Sequence, residues 1–74
     1  MTDEELYKRF TYHPPKGDQP ERYEQIRDLG RQFAELIDGI AFDSREKSLA
    51  LTHVEEAVMW ANAAIARNEL WLRA

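Results

Sequence analysis

The amino-acid sequence predicts an all-α fold: a short N-terminal helix, an extended proline arm, and an antiparallel two-helix hairpin that assembles into a compact homo-oligomer. Three observations lead to this prediction. Only 3 Gly and 3 Pro occur in 74 residues, which argues against a loop-rich fold. Two long stretches carry apolar residues at helical spacing. A chain this short, with no cysteine for disulfides, buries little surface on its own, so we expect a single domain over residues 1–74 that needs other copies.

The first helix and the arm follow from local signals. The sequence T-D-E-E at residues 2–5 has the form of a capping box, which predicts a short helix over residues 3–9. Residues 10–17 cannot continue this helix, because Pro14 and Pro15 have no amide hydrogen and favour extended backbone before them. We therefore predict an ordered, extended arm between the first helix and the hairpin.

The first long helix is predicted over residues 19–38. Asp18 and Pro20 form a start signal, and Gly39 is a typical C-terminal stop. Apolar residues repeat at spacings of 3, 4, 3 and 4, and they are Ile26, Leu29, Phe33, Leu36 and Ile40. We interpret this stripe as core that faces a neighbouring helix, although Ile40 falls beyond the predicted end.

The second long helix begins near Ser44, within the capping sequence D-S-R-E at residues 43–46. Its apolar stripe has the same spacing and comprises Leu51, Val54, Val58, Ala61 and Ile65. The linker over residues 39–42 is short, so the two helices should pack antiparallel.

The second long helix has more apolar surface than one neighbour can cover. Two further faces flank its stripe. One comprises Met59, Ala63, Ala66 and Leu70, and the other comprises Ala57, Trp60, Ala64 and Trp71. The run at residues 57–66 is about half the length of a membrane span, so we expect other subunits to cover it and no membrane association. A dimer is the minimum, and a larger closed assembly is favoured.

Charge and composition exclude several function classes. The net charge of -4 argues against general binding of polymeric nucleic acid, which needs basic surface. An acidic N-terminus unlike a signal peptide indicates a cytoplasmic protein. His13 and His53 are the only histidines, and the sequence contains no cysteine, no carboxylate–histidine metal motif and no glycine-rich phosphate loop. We expect no enzyme activity, no catalytic residues, no metal site and no cofactor.

Two groups of residues have the chemistry to bind a compact anion with planar rings. The first is the arm, where Tyr12 and His13 supply rings, Pro14 supplies rigidity and Lys16 supplies a cation. An alternative is that Tyr12 and Phe10 form a hydrophobic clasp over the hairpin. The second group consists of helical cations and their neighbours, namely Arg27, Arg31, Arg45, Lys47 and Ser48. Arg27 and Arg31 are one turn apart and suit a phosphate clamp, although ion pairs to nearby carboxylates are the usual role of such residues.

Three segments carry a family resemblance. They are F-T-Y-H-P-P-K-G-D-Q-P-E-R-Y-E at 10–24, D-S-R-E-K-S-L-A-L-T at 43–52, and E-E-A-V-M-W-A-N-A-A-I-A-R-N at 55–68. In combination they resemble the phage anti-CBASS cyclic-oligonucleotide sponges, whose helical hairpin domain is shared with anti-Thoeris sponges. The anti-Thoeris relatives have an additional domain for which 74 residues leave no room, so the CBASS-directed type is favoured.

The resemblance implies a homohexamer in the host bacterial cytoplasm that binds cyclic dinucleotides, such as cyclic GMP-AMP, and, as in many members of the family, cyclic trinucleotides at a second type of site. Such a protein sequesters these messengers without hydrolysing them and so blocks activation of the CBASS effector. The runner-up is an oligomeric helical adaptor that docks a host protein. A phosphodiesterase is a third and weaker alternative.

The resemblance also assigns roles to individual residues. Tyr12 would stack on a base, beside a pocket wall formed by His13 and Pro14. Arg27, with Arg31 behind it, would bind the dinucleotide phosphates. The remaining assignments concern a polar pocket nearer the symmetry axis, which would be lined by Asn62, Arg67 and Asn68.

Overall fold

The computed structural model describes residues 1–69, and within them the chain forms three α-helices and no strand. The helices are α1 (Asp3–Phe10), α2 (Gln19–Ile40) and α3 (Arg45–Asn68). The all-α prediction is confirmed for this part of the chain. The assignments of Leu70 and Trp71 to apolar faces lie outside the described residues.

Two of the three predicted N-terminal caps are confirmed. The Oγ1 of Thr2 accepts a hydrogen bond from the Glu5 amide at 3.1 Å, and the Oγ of Ser44 accepts one from the Lys47 amide at 3.1 Å. The prediction for Asp18 is wrong, because its side chain makes no cap hydrogen bond. Its carboxylate instead lies 3.2 Å from the guanidinium of Arg22, four residues further along the chain, so a local ion pair takes the place of the cap.

The predicted helix ends are each too early. Helix α1 includes Phe10, and α2 continues through Gly39 to Ile40. Gly39 does not adopt the left-handed conformation, which Gly17 alone adopts among the glycines of the chain, at φ 55°. Instead, Ala41 is extended and its amide donates to the Ile37 carbonyl at 2.9 Å, which closes the last turn without a left-handed residue.

Helices α2 and α3 pack side by side as an antiparallel hairpin. Residue pairs that approach each other run in opposite directions along the chain: Arg22 with Glu69, Gly30 with Val58, and Asp38 with Lys47. At the middle of the hairpin, a Cβ added to Gly30 would overlap the Cγ2 of Val58. The absence of a side chain at this position therefore allows the two helices to approach closely.

The close approach at Gly30 determines which apolar residues face the neighbouring helix. The predicted stripe of α3, which includes Val54 and Val58, is at least half-buried. The predicted stripe of α2 is wrong for most of its members, because Leu29, Phe33 and Leu36 are 66%, 55% and 57% exposed. Because Gly30 is the residue of α2 that faces Val58, α2 is rotated so that its larger side chains lie beside the helix–helix contact and not within it.

No apolar side chain in residues 1–69 is fully buried, and Gln19 is the one buried residue there, at 3% exposure. The chain measures 44 × 30 × 13 Å, so it is about one helix diameter thick. A single layer of helices leaves two sides of each helix uncovered. The large exposed apolar residues include Phe10, Tyr12, Leu29, Phe33, Leu36, Ile40, Phe42, Met59 and Trp60.

Candidate ligand-binding site

A small cavity lies beneath the segment that connects α1 to α2, residues 11–18, which we call the arm segment. The volume of this arm cavity is about 140 Å³. Its lining residues are Tyr7, Tyr12, His13, Pro14, Lys16, Gln19, Ala66 and Glu69. The structure therefore brings together Tyr12, His13, Pro14 and Lys16, the four candidate residues that the sequence places on the arm.

The aromatic rings of this region are accessible to a ligand. Tyr12 and Phe10 are each 80% exposed, so neither covers the hairpin in the described chain, as a hydrophobic clasp would require. The His13 ring, in contrast, is fixed against α1. Its Nε2 lies 2.9 Å from the Lys8 carbonyl and must donate, since a carbonyl oxygen only accepts. The ring also meets Tyr7 edge-on, with the centroids 6.0 Å apart.

Three polar residues join the base of the arm segment to the end of α3, and we call them the open-end cluster: Gln19, Arg22 and Glu69. Arg22 donates two hydrogen bonds to the Glu69 carboxylate, from Nη1 at 3.0 Å and from Nη2 at 2.5 Å. Gln19 donates from Nε2 to the same carboxylate at 3.2 Å. The Oε1 of Gln19 accepts the amide of Lys16 at 2.9 Å.

The charges of the open-end cluster stabilise one another. Hydrogen bonds from Arg22, and then from Gln19, hold the pKa of Glu69 below its ordinary value. The hydrogen bonds with Glu69 in turn raise the pKa of Arg22. No signal in the sequence marks Gln19 and Glu69 as site residues, because they are 50 residues apart and neither belongs to a periodic pattern.

A second cavity, of about 480 Å³, lies between α1 and the C-terminal part of α3. Its lining residues are Glu5, Lys8, Arg9, Phe10, Trp60, Arg67 and Asn68. Arg67 lies over the Trp60 ring, with its Cζ 5.9 Å from the ring centroid, and Lys8 donates to the Asn68 side chain at 3.1 Å. Exposed rings beside cations are groups that bind bases and phosphates. The sequence analysis treated Trp60 only as part of an apolar face.

Arg27 and Arg31 lie together in a groove of about 490 Å³ on one side of the α2–α3 contact. Three carboxylates, from Glu24, Asp28 and Glu55, line the same groove. Arg31 Nη2 is 4.0 Å from the Asp28 carboxylate, the kind of local ion pair expected of a solvated surface. Within one chain, these two arginines are therefore on a different surface from the arm cavity.

The candidates Arg45, Lys47 and Ser48 lie at the turn between α2 and α3, at the other end of the hairpin. Lys47 Nζ is 2.9 Å from the Asp43 carboxylate and 3.1 Å from that of Asp38, and we call these three residues the turn-end cluster. The hydrogen bonds with Asp43 and Asp38 raise the pKa of Lys47, and Lys47 lowers the pKa of Asp43. The Lys47 cation is thus already neutralised by two carboxylates.

Asn62, the last candidate, is half-buried in the middle of α3. Its Oδ1 is buried and accepts no hydrogen bond from any group in residues 1–69. A buried carboxamide oxygen without a donor is unusual and is energetically unfavourable in a monomer.

Residues 1–69 contain neither a group of side chains suited to a metal ion nor a helix suited to a membrane span. No three His, Asp or Glu side chains of that part of the chain are grouped so that they could hold a metal ion. None of the helices within the same residues is long and apolar enough to cross a bilayer.

A comparison with protein-family models decides what this hairpin is. The model described as the Acb2/Tad1 hairpin domain matches residues 2–66. The chain belongs to the Acb2/Tad1 hairpin-domain family. This is the family of anti-CBASS and anti-Thoeris sponges, which are known as non-catalytic proteins, so the resemblance described above is confirmed. Searches of curated proteins and of solved structures found no match to this Acb2/Tad1 hairpin.

Proposed function

We propose that this Acb2/Tad1 hairpin protein is a phage anti-defence sponge in the cytoplasm of a bacterial host. It binds cyclic dinucleotides, and cyclic trinucleotides at a second site, and releases them unchanged. Sequestration lowers the free messenger concentration, and the CBASS effector stays inactive. The observation that carries the proposal is the family match over residues 2–66, which includes the arm segment and nearly all of the hairpin.

In this proposal the arm segment is an extended arm that supplies the dinucleotide site. The exposed Tyr12 ring stacks on a base, which contributes about 1–3 kcal/mol. His13 and Pro14 form the wall behind it, and Lys16 lies at the same cavity. Arg27 and Arg31 contribute to the phosphates from a neighbouring copy, which is consistent with their position on a separate surface of the single chain.

A second copy is needed to complete the site. The arm cavity of about 140 Å³ is smaller than the roughly 300 Å³ at which ligand pockets begin. The exposed apolar residues Leu29, Phe33 and Leu36 supply surface for contacts between copies. We propose a homohexamer, in which the thin hairpins cover one another's apolar faces and place the arm of one chain beside the arginines of another.

The second cavity supports the proposed trinucleotide site. Arg67 and Lys8 provide positive charge, and the Trp60 ring is 63% exposed. Trp60 is within the part of the chain that the family model matches, which ends at residue 66, and Arg67 is the next residue along the chain. Symmetry-related copies of Arg67 and Asn68, which line this cavity, would meet the phosphates and sugar hydroxyls of a ring-shaped ligand. Asn62 is not among the residues that line the cavity in a single chain.

Calorimetry with cyclic dinucleotides and cyclic trinucleotides tests the proposal. We expect nanomolar-range binding of at least one ligand, with the ligand recovered intact after the protein is denatured. Absence of heat with every ligand would contradict the sponge, and a linearised nucleotide would indicate a phosphodiesterase. A mass near 8.7 kDa in light scattering at micromolar concentration would contradict the oligomer.

The contribution of the Tyr12 ring is tested with Tyr12→Ala, for which we expect weaker binding of a cyclic dinucleotide by about 1–3 kcal/mol and an unchanged oligomer. Tyr12→Phe is the matched control, because it retains the ring and removes only the hydroxyl. Equal affinity losses in both variants would argue against stacking. Dissociation of the oligomer by Tyr12→Ala would instead mean that the Tyr12 ring is a clasp between copies of the chain.

The exposed apolar surface of Leu29 and Phe33 is also consistent with a second candidate function, an adaptor that docks a host protein. A stoichiometric protein partner in a pull-down, together with no small molecule released on heating, would favour the adaptor over the sponge.

A further inference from the structure

The open-end cluster connects the arm segment to α3 through a continuous chain of hydrogen bonds. The amide of Lys16 donates to the Gln19 side chain, the same side chain donates to Glu69, and Glu69 also accepts both terminal nitrogens of Arg22. Glu69 therefore accepts three hydrogen bonds, two of them from a cation.

Gln19 occupies the centre of this connection and is the most buried residue of the described chain, at 3% exposure. Its carboxamide acts as an acceptor toward the arm segment and as a donor toward α3. A buried carboxamide without these partners would lose hydrogen bonds to water, so its rotamer depends on both of them. The position of Glu69 thus determines where the Gln19 oxygen meets the Lys16 amide.

Other hydrogen bonds also hold the arm segment. The Thr11 amide donates to the Tyr7 carbonyl at 3.1 Å, and the Gln19 amide donates to the Lys16 carbonyl at 2.9 Å. The His13 ring donates to the Lys8 carbonyl at 2.9 Å, near the start of the segment.

The exposed Tyr12 directly precedes His13, and it lines the same arm cavity as Lys16, Gln19 and Glu69. The contact of His13 with α1 and that of Lys16 with Gln19 thus hold two sides of this cavity. Fixing both sides of a loop reduces the conformational entropy that is lost when a ligand binds to it.

We propose that Glu69 is a positioning residue: through Gln19 it fixes the arm segment in the free protein, and it thereby prepares Tyr12 to bind a ligand. The effect on affinity rests on the proposed sponge function, whereas the effect on the free arm segment does not.

Amide hydrogen exchange of the unliganded protein tests the first part. In Glu69→Ala the Lys16 amide keeps its direct partner, yet we expect it to exchange about tenfold faster, the factor expected from one charge-assisted hydrogen bond. The Gly30 amide in the middle of α2 should be unchanged. Glu69→Gln keeps an acceptor oxygen and should show a smaller increase, so this variant decides the matter if the alanine variant does not fold.

The matched control is Glu56→Ala, which removes an exposed carboxylate from the middle of α3. Glu56 lies 3.7 Å from the exposed His53 and far from the arm segment in sequence. Exchange of the Lys16 amide should be unchanged in this control. Equal exchange of Lys16 in wild type, Glu69→Ala and Glu69→Gln would overturn the proposal.

Calorimetry with a cyclic dinucleotide tests the second part. Glu69→Ala should weaken binding about tenfold in the wild-type background and leave the affinity nearly unchanged in a Tyr12→Ala background, since the two residues act through one arm. Equal losses in the two backgrounds would overturn the positioning role. If the wild-type protein binds no cyclic nucleotide, the sponge function fails, and the exchange of Lys16 still decides whether Glu69 fixes the arm segment.

Discussion

The two ends of the α2–α3 hairpin are both held by charged side chains, but the two clusters differ in sequence separation and in exposure. At the turn end, Lys47 pairs with acids that are within nine residues of it. Those acids are 72% and 98% exposed. At the open end, Arg22 meets Glu69 from 47 residues away, and these side chains are 33% and 23% exposed.

This difference shows that similar ion pairs can have different origins. The turn-end cluster forms once the chain reverses direction, because Asp38, Asp43 and Lys47 are then close together. The open-end cluster requires the full length of α2 and α3 to pack in one register. Because exposed ion pairs contribute little while partly buried ones are less screened by water, we expect the ion pairs of the open end to be more sensitive to substitution than those of the turn end.

We expect the largest loss of stability at the contact between Gly30 and Val58, which sets the distance between α2 and α3 along the hairpin. In Gly30→Ala the new Cβ overlaps Val58, whose branched side chain has little freedom to move. Overpacking costs about 1–3 kcal/mol, and the higher helix propensity of alanine offsets about 1 kcal/mol of it. Chemical denaturation should show net destabilisation, and Val58→Ala in the same chain should relieve it. Destabilisation that persists in the double variant would contradict the overlap.

Ser44→Ala is next and separates the helix cap from the turn-end ion pairs. The hydroxyl of Ser44 accepts the Lys47 amide, and loss of a cap of this kind costs about 1 kcal/mol. We expect a lower free energy of unfolding in denaturation, with the contacts of the Lys47 ammonium retained. No change in stability would mean that the turn end is held by its charges.

Acid should weaken the open end through Glu69. Its pKa is lowered in the folded chain, so its contribution to stability is complete above the ordinary value of 4.5 and is lost as the pH falls through the lower folded value. We expect the stability difference between wild type and Glu69→Gln to be constant near neutral pH and to shrink below pH 4.5. A difference that does not depend on pH would argue against the Arg22–Glu69 pair.

Asp43→Asn should have the smallest effect. Lys47 lowers the pKa of Asp43, but the carboxylate is nearly fully exposed, and Lys47 keeps its contacts with Asp38 when Asp43 is neutral. Thermal melting should barely distinguish this variant from wild type. A loss as large as that of Glu69→Gln at neutral pH would mean that the two ends are equivalent.

Local signals predicted the helices and part of the candidate site. The caps at Thr2 and Ser44 involve residues three positions apart, so they can be read from the sequence, and the prolines correctly excluded a helix through the arm segment. The local signal failed at Gly39, where an extended Ala41 closes α2 instead. Cap geometry depends on where the chain goes next, which the residues of the helix alone do not specify.

Contacts between residues that are far apart in the chain could not be predicted from the sequence. The stripe that includes Leu29 and Phe33 indicated a buried face, but Gly30 lies at the contact and turns those side chains outward. The cavity beside Trp60 and Arg67 depends on the position of α1, which no periodicity reveals. The arrangement of the arm cavity likewise depends on Glu69, whose partners are 47 and 50 residues away.

By itself, the sequence determined the helical class, the order of the elements, the shortage of core and the family to which the hairpin belongs. The tertiary structure alone decided the rotation of α2 and the polar connection between the arm segment and α3. The physical reason is that hydrogen-bonded turns and apolar periodicity act over a few residues. Helix rotation and long-range ion pairs, in contrast, depend on how closely two surfaces approach, and in this protein a single glycine opposite Val58 sets that distance.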